Sequence, residues 1–98
     1  MIKINIYDDG VLINGHANHE ICYQVSIAIY ILANAVGYIG HRLHYELENG
    51  SGVSKLKFNL TDETTLLRDS YEKDMRAWFN EFYINDVKVD RIYENVEV

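Results

Sequence analysis

Isoleucines at positions 2, 4 and 6 alternate with Lys3, Asn5 and Tyr7. That period of two belongs to a strand with one face buried. Asp8-Asp9-Gly10 breaks it as a turn, and Val11-Leu12-Ile13-Asn14 reads as the returning strand of a hairpin that Gly15 ends. From Asn18 to about Gly37 two periods compete. Val25, Ile27, Ile29 and Ile31 alternate as in a strand, while Ile21/Cys22, Val25, Ala28/Ile29, Leu32 and Val36 recur at helical spacing. The length of the segment, with no internal proline or glycine before Gly37, favours a helix. Asn18 suits its N-cap, Glu20 its first turn and Gly37 its end. The opposite side, with Tyr23, Ile27, Tyr30 and Ile31, is apolar as well, which implies burial all round or a contact with a second copy.

Leu43, Tyr45 and Leu47 alternate with His44, Glu46 and Glu48; after Asn49-Gly50-Ser51-Gly52, Leu56, Phe58 and Leu60 alternate with Lys55, Lys57 and Asn59. This predicts a second hairpin with carboxylates facing lysines on a solvated face. Thr61 or Asp62 caps the next helix, along which Leu67, Tyr71, Met75 (or Asp74), Trp78 and Phe82 form a core stripe, with Arg68, Asp69, Glu72, Lys73 and Arg76 elsewhere. The helix ends between Asn80 and Ile84. Alternation around Val87/Val89 and again toward Val98 predicts at least one final strand. The order β-β-α-β-β-α-β describes an α+β two-layer sandwich with both helices packed on a mostly antiparallel sheet. A chain of 98 residues makes one domain over 1–98, with a single core.

Composition narrows the function classes. An apolar content of 48% belongs to a folded chain. A net charge of −6 repels phosphate backbones, so no direct nucleic-acid binding is expected. The start of the chain lacks the charged-then-apolar order of a secretory leader. The apolar run Val25 to Val36, interrupted by Ser26 and Asn34, is too short to cross a bilayer, so no membrane association is expected. A single cysteine makes no internal disulfide, which fits a reducing cytoplasm.

That cysteine stands out. Gly15-His16-Ala17-Asn18-His19-Glu20-Ile21-Cys22 runs from the end of a strand into the first turn of a helix and carries two of the four histidines. A thiol there meets unpaired amides and the positive end of the helix dipole, both of which favour the thiolate. A histidine at the end of the preceding strand can take its proton, the pairing a cysteine nucleophile needs. The amides of the helix start, Cys22's included, are oxyanion donors in this reading, with Glu20 or His19 available to orient His16. The plain alternative is Cys22 as a small core residue. A metal site built on His16, His19 and Cys22, with His41 and His44 repeating the spacing, is a further alternative. Against it, residues three apart on a strand point to opposite faces, and the helix-borne thiol lacks the usual ligand spacing.

Gly15-His16-Ala17 together with Cys22, Val25 and Ser26, ahead of a long apolar helix, resembles the ribosomal-processing cysteine protease (Prp) family. That family's pattern reads Gly-His-Ala, a glycine-rich loop, then Asp-Ile-Val-Cys-Ala-Ala-Val-Ser, on chains of about this length that open with a hairpin. In this sequence the loop is shortened, His19 stands at the motif aspartate, and Tyr23-Gln24 replace two alanines. The resemblance implies a cofactor-free Cys/His endopeptidase, cytoplasmic and homodimeric, that removes an N-terminal extension from a large-subunit ribosomal protein or acts on phage structural proteins. It implies Cys22 as nucleophile and His16 as base, with Ser26 at the motif serine, where it can bond the Cys22 carbonyl or help order the helix start. Gly15, His19 and Glu20 are supporting positions. A non-catalytic dimeric interaction module on the same fold is the other reading.

Overall fold

The structure, a computed structural model, describes residues 1–47, 52–82 and 85–97, with 80–82 by backbone alone. Strands β1 (Ile2–Tyr7) and β2 (Gly10–Gly15) form the first hairpin, and helix α1 spans His19–Tyr38. Strands β3 (Arg42–Leu47) and β4 (Val53–Phe58) form the second hairpin, followed by α2 (Asp62–Phe82) and β5 (Val87–Arg91). The expected order is the observed one. Both helices lie on a five-stranded sheet ordered β3-β4-β2-β1-β5, antiparallel throughout except where β5 joins β1 in parallel. Glu48, Asn49-Gly50-Ser51, Ile84, Val98 and the Phe82 side chain lie outside the described residues.

The alternation of β1 builds the core. Ile4 pairs with Ile13 on one side and Val89 on the other, and Ile6 with Val11, which in turn faces Leu56. Ile2, Ile4, Ile6, Val11, Leu56, Phe58, Val87 and Val89 all bury their side chains. Onto this face α1 lays Ile21, Val25, Ile29, Leu32, Ala33 and Val36, the helical spacing read from the sequence. Asn18 caps α1, its side chain accepting from the Ile21 amide at 3.0 Å. Gly37 is inside the helix; the chain leaves at Ile39 and turns at Gly40, whose φ is +81°. With 20 residues and a mean hydropathy of 1.4, α1 is long and apolar enough to cross a membrane, a correction to the shorter run read from the sequence. Here one side of it is core, and the other stays open: Tyr23, Ile27, Tyr30 and Ile31 are 42 to 62% exposed. Burial all round is therefore excluded within one copy.

Thr61 and Thr64 cap α2 reciprocally, each hydroxyl accepting the other's amide at 3.1 and 2.8 Å. The core stripe of α2 is rotated from the expected one. Thr64, Arg68, Tyr71, Met75 and Phe79 face inward, whereas Trp78 is half-exposed and donates to Gln24 of α1. Arg68 is drawn inside because its guanidinium donates to the Asp8 carbonyl at 2.7 Å. Of the second hairpin's apolar residues, Leu43, Leu47 and Leu60 are exposed, and a bulge at Arg42/His44 interrupts β3. Glu46 does sit opposite Lys55.

Candidate functional site

Gly15 closes β2 at φ +102°, a conformation that lets the chain swing from the sheet to the helix within three residues, His16 to Asn18. This short connection carries His16 exposed and sets Cys22, half-buried, at the end of the first helical turn. A cleft of about 330 Å³ opens at this junction, within the range of small-ligand and peptide side-chain sites. Gly15, His16, His19, Cys22 and Ser26 all line it, and Ile2, Ile13, Val25 and Ile29 form its apolar side. Five of the six singled-out residues thus meet in one depression. Glu20 is exposed on the first turn and is not among the lining residues.

The Cys22 sulfur lies 3.4 Å from both the amide and the carbonyl of Ala17. A neutral thiol can make both contacts at once, while a thiolate keeps only the one from the amide. The residue beside His16 therefore offers the sulfur a partner in either state. No hydrogen bond joins the sulfur to the His16 ring among the described residues. His19 stacks on Tyr23 with ring centroids 6.5 Å apart, away from any bond to His16. The Ser26 hydroxyl makes no hydrogen bond to the Cys22 carbonyl among the described residues.

One expectation is corrected by the cap. The Cys22 amide donates to the Asn18 carbonyl at 3.0 Å and the Ile21 amide to the Asn18 side chain, so neither is open to an oxyanion. The amides of His19 and Glu20, nearer the dipole's positive end, are the ones this cap leaves unengaged. For a metal, no group of three His, Cys, Asp or Glu side chains converges among the described residues.

Sequence reading missed Leu47, Gly52 and Ser54, which form the far wall of the cleft. Nothing local marks them. They arrive through strand register, which brings Val53 opposite Asn14 and ties the Gly15 amide to the Gly52 carbonyl at 3.0 Å.

Frame and cleft together define a class: two-layer α+β proteins with two helices on a mixed sheet and a ligand-sized cleft where the first hairpin feeds the first helix. Solved structures of this fold include the ribosomal-processing protease Prp of Staphylococcus aureus with a covalently linked product peptide. Its TM-score is 0.78 at 17% identity, covering 94% of this chain and 100% of that one. The same protease with a substrate peptide gives 0.78 at 16% identity with the same coverage. A protein from Streptococcus mutans gives 0.76 at 17% identity, covering 96% and 99%. The fold is the one Prp carries, over nearly the whole of both chains. No family model matches the chain, and no curated protein matches it by sequence.

Proposed function

We propose that this chain is a divergent Prp-like cysteine endopeptidase that trims an N-terminal extension from a ribosomal or phage structural protein in the cytoplasm. The observation that carries the reading is the cleft shared by Cys22 and His16, on a fold also found in a protease solved with bound peptides. Cys22 thiolate attacks the scissile carbonyl, and the Ala17 amide is placed to hold that thiolate beforehand. His16 takes the thiol proton and returns it to the leaving amine, leaving a thioester. Water, deprotonated by His16, then releases the acyl product and restores the thiol. The His19 amide, from a residue that lines the cleft, is the oxyanion donor that the Asn18 cap leaves available.

Incubation with peptides carrying a Leu/Phe-rich N-terminal extension tests this. Cleavage is expected from the unaltered chain, none from Cys22→Ala, and a rate lowered about 10²- to 10⁴-fold in His16→Ala. Absence of cleavage by the unaltered chain, with binding retained, favours the non-catalytic module, a reading encouraged by the sulfur's lack of a bond to His16.

The open side of α1 is the surface for a second copy in this proposal. Tyr23, Ile27, Tyr30 and Ile31 form a continuous apolar stripe, the composition found at the centre of homodimer interfaces. Ile31→Asp is expected to leave the fold intact and convert a dimer to a monomer in sedimentation equilibrium. Monomeric unaltered protein at tens of micromolar rejects the dimer.

A further inference from the structure

Gly52 begins the far wall of the cleft, one residue before β4, with φ +74°. A Cβ placed on it meets the His16 ring at 2.6 Å from Nε2 and 2.9 Å from Cε1, and the Gly15 carbonyl oxygen at 3.0 Å. Non-bonded heavy atoms sit at about 3.5 to 4 Å, so a methyl group and the imidazole cannot share this space. The edge of the ring occupies the volume that any other residue at 52 would fill. The backbone conformation alone does not explain the glycine's closeness to the ring. Gly40 has a similar φ of +81°, and a Cβ there meets nothing within 4 Å.

We propose that Gly52 is a positioning residue for His16, the wall against which the imidazole edge rests so that its ring stays inside the cleft. The contact comes from the second hairpin, and the Gly15–Gly52 hydrogen bond holds the two backbones in register at that point. Because His16 is exposed and makes no side-chain hydrogen bond among the described residues, packing against Gly52 is the restraint the structure gives its ring. A methyl at 52 pushes the ring outward, and displacing a reacting group by about 1 Å costs on the order of 10²-fold in rate. The inference rests on His16 being the base of Cys22.

The test uses the full chain and four variants: Gly52→Ala, Gly40→Ala, His16→Ala and the double variant His16→Ala/Gly52→Ala. Gly40→Ala carries a similar positive-φ strain without the contact, so it controls for that backbone cost. The first readout is the pH profile of Cys22 alkylation by iodoacetamide. The unaltered chain is expected to show a neutral-pH limb that His16→Ala abolishes. Gly52→Ala is expected to lose that limb by about 10²-fold, Gly40→Ala to keep it, and the double variant to match His16→Ala. Retention of the limb in Gly52→Ala overturns the proposal.

The second readout needs no variant to fold. A nuclear Overhauser contact between the Gly52 α-protons and the His16 Hε1 proton is expected in the unaltered protein, and its absence also overturns the proposal. An alkylation profile indifferent to His16→Ala defeats the Cys22–His16 pairing, and the positioning role with it. A persisting Gly52–His16 contact in that case locates the failure in the chemistry rather than in the geometry.

Discussion

The two ends of the first hairpin are built from the same pair of strands and finished in opposite ways. At the turn, Asp8 and Asp9 are locked into a clasp. Asp9 accepts from Lys57 and from the Val96 amide, both at 2.8 Å, while Arg91 pairs with Asp8 at 2.5 Å and Arg68 holds the Asp8 carbonyl. The clasp ties the hairpin, β4, α2 and the C-terminal segment together, and buries Val96 beside Gly10. At the other end, Gly15, His16, His19 and Cys22 border an open cleft where helix amides and a histidine ring lack hydrogen-bond partners among the described residues. Every charge brought inside at the turn is matched, because an unmatched one is costly there. At the cleft, polar groups are left uncommitted where water or a ligand can reach them. One end holds the fold together, and the other is free to act.

The sharpest way to break that contrast is to exchange what each end loses. Cys22→Ala is expected to abolish peptide cleavage while shifting unfolding free energy by only about 1 kcal/mol, since it deletes one half-buried sulfur. A large loss of stability in urea unfolding would show the cleft end to be structural after all. Asp9→Ala does the reverse. It strands the Val96 amide and leaves the Lys57 ammonium only the Val96 carbonyl at 3.2 Å, and is expected to cost about 3 kcal/mol while leaving cleavage below the new melting temperature unchanged. Equal unfolding curves for Asp9→Ala and the unaltered chain would show the clasp to be ornamental.

The smallest effect lies between the ends. Tyr71 is buried, and neither its hydroxyl nor that of Tyr45 has a hydrogen-bond partner among the described residues. Burial, reinforced by Tyr45, holds the Tyr71 phenol far above its ordinary range. Its folded form keeps a proton that the unfolded form gives up near pH 10. Stability from this group is therefore complete below pH 10 and is lost as pH rises beyond it. Tyr71→Phe removes an unsatisfied hydroxyl, so it is expected to raise stability by about 1 kcal/mol at neutral pH and to flatten the loss above pH 10. Denaturant titrations at pH 7 and pH 11 check both, and a destabilised Tyr71→Phe would mean that the hydroxyl has a partner.

Periodicity alone set much of the frame. The alternation of Ile2, Ile4 and Ile6, the helical recurrence from Ile21 to Val36 and the cap at Asn18 are local properties of neighbouring residues, and each element formed where those properties placed it. The convergence of Gly15, His16, Cys22 and Ser26 was legible for the same reason, since they lie within one strand end and two helical turns. Other features had no local signal. Amphipathic periodicity in α2 fitted more than one phase, and the structure chose the one that lets Arg68 reach Asp8 and puts Phe79 inward. Asp8-Asp9 read as a turn; their ion pairs come from residues far along the chain.

What the sequence determined by itself is thus the identity and order of the elements and the thiol and imidazole at one junction, because hydrogen bonding and apolar spacing act over a few residues. What only the tertiary structure decided is which groups meet across strands: the charge clasp, the phase of α2, and Gly52 against His16. These depend on strand register, and register emerges from the packing of the entire sheet rather than from any segment of it.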